Sequence, residues 1–592
     1  MPNSIRILLS LLALAPIVPM AIGGGHLSPG LILILGAPLI AVLRGRLQQS
    51  YLLLLPILSF AHLLSLPTGS FENITIFDYT LIVARIDKLS LVFGYIFHIM
   101  AILGVIYSIH IKDSLQHLSG LIYMGAAIGA AFSGDLITLF VYWELTAIAS
   151  VFLIWASGTE RSYRAGMRYL IIQVGSGVVL LSGVLIRYAD TGSLAFDHLG
   201  ELGLNNLGST LIFIAFGIKC AFPFLHNWLQ DAYPEATVTG TVILSAFTTK
   251  LAVYTLARGF AGTDILVPIG AAMTVFPVFY AVIENDLRRV LAYSLNNQLG
   301  FMVVGIGIGT EMALNGAVSH AFAHILYKAL LFMSMGAVLY RAGTVKASEL
   351  GMLYKSMPWT AFFCIIGAAS ISAFPLFSGF VTKSMTLTAA ANEGWTTTWF
   401  ILLFASAGVL HHSGIKIPYY GFFGHHDSGI RCKEAPLNML IAMGVVAFLC
   451  VGIGIYPNPL YSILPYTVGD FEPYTASHVV TQLQLLFFAL LSFAILARKQ
   501  LETPELPSVN IDFDWVYRKL IPGAVRSFIK IGGPARDLVF ENSKTTISEF
   551  IGYMRSLHGP TGIFGRVNMT GGSVTIVVLL LALSLIVYFT GP

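Results

Sequence analysis

Apolar residues come in long continuous runs along this chain. A spanning helix needs roughly 20 such residues. Runs of about that kind lie near 5–23, 29–44, 50–66, 88–109, 118–132, 134–156, 167–187, 208–228, 239–260, 264–283, 290–308, 313–340, 359–376, 378–391, 396–411, 437–456, 479–497 and 572–590. Some are short or polar, and the pattern predicts about 14 to 17 transmembrane helices. A membrane barrel would alternate apolar and polar positions with period two, and these runs do not. The first run follows Arg6 as a signal peptide would, but Ala21-Ile22-Gly23-Gly24 is a poor cleavage site, so it reads as an extra helix.

The tail has a different pattern. From Arg498 to Gly571 the chain is charged and interrupted by Gly532-Gly533-Pro534 and Gly559-Pro560. Between these breaks Phe540, Ile547 and Met554 recur every seven residues, as do Phe550 and Leu557, which places them on one helix face. This predicts an amphipathic helix over 535–558, lying along the membrane surface or along neighbouring helices. The expected organisation is a transmembrane domain over 1–498, an amphipathic segment over 499–571 and a final span over 572–592.

Composition narrows the class. Apolar types make up 56% of the 592 residues and charged types 10%, against about 25% charged in a soluble domain. A soluble enzyme, a nucleic-acid binder and a disordered chain are thereby excluded, leaving an all-α polytopic membrane protein. The net charge of +4 identifies no partner. Cys220, Cys364, Cys432 and Cys450 are far apart with no CxxC spacing, and read as packing residues. No disulfide, metal or other cofactor is expected.

The chemistry lies in ionisable residues inside apolar runs. Glu144 sits between Leu136–Tyr142 and Ala147–Trp155. Lys219 follows Leu211–Ile218. Lys250 is central in Thr241–Ala257, Lys328 in Ala317–Leu339, and Lys383 in Phe374–Leu387. A charge at mid-bilayer costs about 2.5–3.5 kcal/mol even on lenient scales, so such residues mark a function. Static ion pairing is the bland alternative, but one mid-span carboxylate does not balance four lysines. Burial disfavours the ammonium and a nearby carboxylate favours it, so a lysine whose partner moves can release its proton. His320, His324 and Lys328 fall at i, i+4 and i+8, a ladder of titratable groups rising about 12 Å along one helix face.

Weaker signals complete the picture. Ala221-Phe222-Pro223-Phe224 and Ala373-Phe374-Pro375-Leu376-Phe377 echo each other inside apolar runs, with Lys219 before the first and Lys383 after the second. Proline breaks a helix, and paired broken helices in two halves of a transporter point to its conduction site. His411-His412 and His425-His426-Asp427 flank Lys416 without a metal-ligand spacing, and are expected at the membrane edge near an entry path. Asp87, Asp135 and the run Glu284-Asn285-Asp286-Leu287-Arg288-Arg289 read as helix ends and a loop. Nucleotide-binding, haem and nucleophile motifs do not appear.

These residues resemble a known family. Asp135-Leu-Ile-Thr-Leu-Phe-Val-Tyr-Trp-Glu144 is similar to its glutamate helix. Gly217-Ile-Lys219, running to Phe222-Pro223-Phe224-Leu-His226-Asn-Trp-Leu-Gln-Asp231-Ala, is similar to its broken lysine helix. Asp286-Leu-Arg-Arg-Val-Leu-Ala-Tyr-Ser294, His320-Ala-Phe-Ala-His324-Ile-Leu-Tyr-Lys328 and Phe374-Pro-Leu-Phe-Ser-Gly-Phe-Val-Thr-Lys383 extend the likeness over about residues 80–430. The set resembles the antiporter-like proton-conducting subunits shared by Mrp-type cation/proton antiporters, complex I and membrane-bound hydrogenases. Leu244-Ser-Ala-Phe-Thr-Thr-Lys250 and His411-His-Ser-Gly-Ile-Lys-Ile-Pro-Tyr-Tyr are most like the D subunit of Mrp antiporters. The tail, with Phe513-Asp514-Trp515-Val516-Tyr517, is more like the lateral and closing helices of the distal complex I subunit.

The resemblance implies two inverted five-helix repeats, each with a broken helix. It implies a Glu144–Lys219 pair, Lys250 and His324 as central relay groups, and Lys383 as the exit-side lysine. It further implies other hydrophobic subunits as partners in a prokaryotic plasma membrane, with protons and a monovalent cation, sodium first among them, as the transported ions. A redox-driven proton pump of complex I or hydrogenase type, and an energising subunit for inorganic-carbon uptake, are the alternatives it leaves open.

Overall fold

The computed structural model describes residues 27–76, 79–200, 203–424, 429–498, 510–559, 562 and 570–590. The expected N-terminal run 5–23 and the cluster His425-His426-Asp427 lie outside these residues. The chain divides into two compact units, residues 1–510 and 511–592.

The first unit is a helical bundle. It opens with α1 (Pro29–Gly36), α2 (Gly45–Ser65), a β-hairpin formed by β1 (Gly69–Ile76) and β2 (Tyr79–Ile86), and α3 (Lys88–Ser108). The antiparallel hairpin, with Phe71 opposite Ala84, departs from the expected all-helical pattern. Its β-branched residues alternate too briefly to register among the long apolar runs. It is tied down at β2, where Ile82 N–H donates to Asp135 at 2.8 Å and Ile82 C=O accepts from Gly134 N–H at 2.9 Å.

Two five-helix units follow. The first holds α4 (Ser114–Phe132), α5 (Leu136–Trp155), α6 (Glu160–Thr191), the half-helices α7 (Leu207–Lys219) and α8 (Asn227–Ala232), and α9 (Val238–Gly259). The second holds α10 (Leu266–Ile283), α11 (Leu287–Ile308), α12 (Glu311–Ala342), the half-helices α13 (Pro358–Ile371) and α14 (Ser378–Asn392), and α15 (Thr396–Val409), which continues through two π turns to Phe423. The apolar runs at 359–376 and 378–391 are thus two halves of one broken span. The first unit ends with α16 (Leu437–Ile455) and α17 (Ala476–Arg498).

The two five-helix units match landmark by landmark. Asp135 caps α5 by accepting from Ile137 and Thr138 N–H, and Asp286 caps α11 by accepting from Arg288 and Arg289 N–H. Each aspartate also bridges the chain beyond the next helix, Asp135 to Ala195 and Asp286 to Lys346. That next helix has 32 residues in both units and ends at a left-handed glycine, Gly192 or Gly343. At the breaks, Ala221 and Phe224 in one unit and Ala373 and Leu376 in the other hold positive φ. Left-handed backbone costs a non-glycine residue about 1–2 kcal/mol, yet both breaks repeat it. Their hydrogen bonds also agree: Phe222 N–H to Gly217 C=O and Phe374 N–H to Ala369 C=O, both at 3.0 Å. Five spans are an odd number, so the second unit begins on the opposite face from the first and is inverted relative to it.

Arg288, buried at the start of α11, stitches the units together by donating to Ala236 C=O at 2.8 Å and to the Thr241 hydroxyl. Among the described residues, twelve helices are long and apolar enough to cross a membrane, with three shorter apolar helices, Pro29–Ala41, Leu207–Lys219 and Pro358–Ile371. Apart from the hairpin, the fold is an all-α polytopic membrane bundle with broken helices, as the runs predict.

The second compact unit holds α18 (Ile521–His558) and α19 (Thr570–Thr590). One expectation is corrected here. The helix passes through Gly532-Gly533-Pro534 instead of breaking there, because apolar residues at helical spacing, Val525, Phe528 and Ile529, extend the pattern upstream. Phe540, Ile547 and Phe550 are exposed within this unit, and α19 is exposed throughout its described side chains.

Candidate functional site

The site is built from charges that the breaks and caps hold inside the bundle. Lys219 closes α7 just before its break and is fully buried. Its Nζ donates to Trp143 C=O at 2.8 Å and to the Thr146 hydroxyl at 2.7 Å, and lies 4.1 Å from the centroid of the Trp143 ring. These contacts flank Glu144 on α5. The two charges lie in electrostatic reach of each other but form no ion pair, and Glu144 Oε1 is buried without a hydrogen-bond partner. The carboxylate instead fills the space above Gly177 on α6, where a Cβ would stand far inside van der Waals contact with Oε1.

Lys250, central in the buried helix α9, donates to Ser245 C=O of its own helix at 2.6 Å. The Cys220 thiol, next to Lys219, lies within its electrostatic reach. Lys328 on α12 donates to the Ser294 hydroxyl of α11 at 2.9 Å. Lys383 on α14 donates at 2.8 Å to Ile371 C=O, at the end of α13, and lies 5.0 Å from the centroid of the Phe301 ring. Among the described residues, none of these four lysines pairs with a carboxylate. Carbonyl and hydroxyl dipoles hold them, so static ion pairing does not explain their burial.

The two histidines of α12 differ. His320 bonds the Thr382 hydroxyl through Nδ1 at 3.0 Å and approaches the Tyr327 hydroxyl through Nε2 at 3.3 Å. Tyr327 in turn donates to Gln298 at 3.0 Å. His324 is buried with neither ring nitrogen hydrogen-bonded. It stands within electrostatic reach of Lys250, Lys328, Lys383 and His320, at the junction of the two units. A buried polar group with no protein partner marks a place where water or a proton carrier belongs. The structure thus brings Lys250, His320, His324, Lys328 and Lys383 into one electrostatic group, with Glu144 and Lys219 as a neighbouring pair.

Lys383 also borders a cavity. A cavity of about 290 Å³ lined by Lys383, Ser384, Thr388, His478 and Gln482 adjoins one of about 710 Å³ lined by Glu311, Glu393, Asp470 and Glu472. Thr388, Asn392 and His478 line both.

Sequence reasoning missed two partners. Gly177 gave no signal, since its role is to have no side chain. His412, expected at the membrane edge, is fully buried on the π turn Leu410–Ile415. The apolar run 396–411 ends at the histidine pair, so hydropathy alone truncates a helix that the structure carries to Phe423.

Residues 133–409 match the family model described as NADH:quinone oxidoreductase/Mrp antiporter, TM. The chain is 32% identical over 357 residues to the D subunit of a Na(+)/H(+) antiporter of Alkalihalophilus pseudofirmus, covering 57% of this chain and 72% of that protein. In fold it is similar to a chain of the membrane-bound sulfane sulfur reductase, an archaeal respiratory membrane complex (TM-score 0.69, 21% identity, 94% of this chain and 99% of that one). It is also similar to a chain of the Mrp complex from Dietzia sp. DQ12-45-1b (TM-score 0.64, 20% identity, 81% and 99%).

Proposed function

Since the chain belongs to the NADH:quinone oxidoreductase/Mrp antiporter family of membrane subunits, we propose that it carries protons along Glu144, Lys219, Lys250, His324, Lys328 and Lys383 as one subunit of a multisubunit cation/proton antiporter. It is a proton-translocating, antiporter-like membrane subunit; the relay and the cation are our reading. The observation that carries it is a set of four buried lysines held by neutral dipoles, three of which, Lys250, Lys328 and Lys383, surround the unpartnered His324. Each can lose its proton without stranding a paired carboxylate. His320 positions the ladder through Thr382 and Tyr327.

Orientation follows from charge. Successive spans place Arg161, Arg164, Arg168, Arg289, Lys346, Lys355, Arg431 and Lys433 at one face, and Asp190, Asp264, Glu311, Glu393, Asp470 and Glu472 at the other. The positive-inside bias puts the basic face in the cytoplasm. The acidic cavity beneath Lys383 then faces outward and supplies the outer end of the path, in a prokaryotic plasma membrane. Sodium is the proposed counter-ion, from the name of the Alkalihalophilus relative, and other hydrophobic subunits are the proposed partners.

The test is ion-driven proton flux in everted vesicles containing the whole complex. Glu144→Gln and Lys219→Ala should each abolish it while assembly persists. Normal flux in both would refute the relay. A second reading, a proton-pumping subunit of a redox complex, is favoured by the tail, since the similarity to the sulfane sulfur reductase chain extends over 94% of this chain. Copurification decides between them: iron–sulfur or flavin proteins mean redox, and small hydrophobic subunits mean antiport.

A further inference from the structure

Lys328 has a second neighbourhood, on the side of α12 toward the basic face. Its Nζ donates to Ser294 Oγ at 2.9 Å, Ser413 Oγ donates to Ser294 Oγ at 2.8 Å, and His412 Nδ1 lies 2.8 Å from Ser413 Oγ. These atoms form an unbroken hydrogen-bonded chain from Lys328 on α12, through α11, to the end of α15. All four residues are fully buried. His412 Nε2, at the far end, is buried and makes no hydrogen bond among the described residues.

The chain exists because α15 changes its winding. At Leu410–Ile415 the helix opens into a π turn, and adjacent residues His412 and Ser413 are both turned inward and bonded to each other. Such turns interrupt α-helices most often where a side chain must be aimed at a functional site. One turn further on, Lys416 Nζ donates at 2.6 Å to Val282 C=O in the last turn of α10, just before Glu284 at the basic face. The charges close enough to act on His412 are Lys328, Lys383, Lys416 and His411.

We propose that His412, with Ser413 and Ser294, forms a proton route between Lys328 and the basic face of the second five-helix unit. The step balances. An imidazolium at His412 gives its Nδ1 proton to Ser413 Oγ, Ser413 passes its own proton to Ser294 Oγ, and Ser294 passes its own to neutral Lys328. One proton moves and both hydroxyls stay neutral, each O–H now directed back toward His412. His412 is left as the neutral Nε2–H tautomer, and rotation of the hydroxyls with transfer of the ring proton from Nε2 to Nδ1 resets the chain, leaving Nε2 open to the next proton. No oxidant, reductant or metal is required. The route enters from the face opposite the acidic cavity at Lys383, so Lys328 becomes a branch point with access toward both sides.

This inference rests on the relay proposed above, and its test separates the two. In everted vesicles with the whole complex, His412→Gln should lower proton flux about a hundredfold or more, on the order of what loss of a positioned proton-transfer group produces. Glutamine can still hydrogen-bond Ser413 but cannot carry the proton. Added imidazole should restore part of the flux in His412→Ala, a response that a packing defect does not give. Ser413→Ala should lower flux comparably, and Ser413→Thr, which keeps the hydroxyl, should retain it. Full flux in His412→Gln, with Glu144→Gln and Lys219→Ala inactive, would overturn this route and leave the main relay standing. Full flux in all three would overturn both. If His412→Ala does not assemble, the His412→Gln and Ser413→Thr pair decides the matter.

Discussion

The carboxylate of Glu144 occupies the space that a side chain at residue 177 would fill, so the acid and Gly177 are complementary across α5 and α6. Counted back from the left-handed glycines that end the two long helices, Gly177 holds the place in α6 that Lys328 holds in α12. One unit leaves a gap for an acid where the other supplies a base. Gly177→Ala should therefore displace Glu144 and lower proton flux by up to about a hundredfold, the lower end of what removal of a proton-transfer group costs. Gly175→Ala, on the same helix with nothing within 4 Å of its Cβ position, should leave flux unchanged. Flux and blue-native assembly, measured on both variants, check this; equal behaviour would remove the complementarity from the mechanism.

The central step gives a second prediction. His324→Ala and Lys250→Ala should each impair flux, because His324 stands between Lys250 and Lys328 without hydrogen-bond partners of its own. Lys250→Arg should fail as well, since arginine keeps its proton at any accessible pH. Full activity in Lys250→Arg would exclude proton release at that position.

Stability should depend on pH through Asp87. This residue caps α3 and meets Arg258 of α9 at 2.8 Å and Arg85 at 3.6 Å. Burial raises its affinity for a proton, but the hydrogen bond and charge of Arg258, with Ser90 N–H and Arg85, outweigh that and hold the carboxyl below the usual carboxylate range. A depressed native value means the contribution is present above the unfolded value, about 3.9, and is lost as pH falls through the folded one. Asp87→Asn should thus lower the thermal midpoint of the detergent-solubilised complex at pH 7, and the gap to wild type should close below about pH 4. Because Asp87 is partly exposed, the shift should be a few degrees at most.

The tail should matter for assembly. Phe540, Ile547 and Phe550 are exposed within the second unit, and an apolar stripe on a helix needs a surface to cover. Truncation after residue 510, at the boundary between the two compact units, should weaken the complex on native gels while leaving Glu144, Lys219 and Lys328 in place. Phe540→Asp with Phe550→Asp should mimic it. A truncated chain that assembles and transports normally would show the tail to be dispensable.

Much of this architecture is legible in the sequence because charges inside apolar runs are costly and stand out. Glu144, Lys219, Lys250, Lys328 and Lys383 are visible that way, and the phenylalanine–proline echo marks both breaks. The duplication is harder to read. Its landmarks are backbone events, an aspartate cap, a left-handed glycine and paired positive φ values, which divergent side chains conceal. His412 is hidden for another reason: two adjacent histidines look like the end of an apolar run, and only the π turn turns one of them inward. The hairpin at 69–86 is lost among runs chosen for length. Gly532-Gly533-Pro534 shows the opposite error, because local breakers are weighed there against a helical pattern that continues on both sides.

The neutral cradles of the lysines have an electrical consequence. Lys219, Lys250, Lys328 and Lys383 rest on carbonyl and hydroxyl oxygens, which carry no formal charge. If the proposed relay operates, each site would therefore switch between one positive charge and none as its proton arrives and leaves, and a proton at one site would raise the potential at the next. The row would behave as a short capacitor whose stored charge is set by how many lysines are loaded, with Glu144 able to offset that charge at one end. In that relay, loading from either face would push charge toward the other through electrostatics between neighbouring sites.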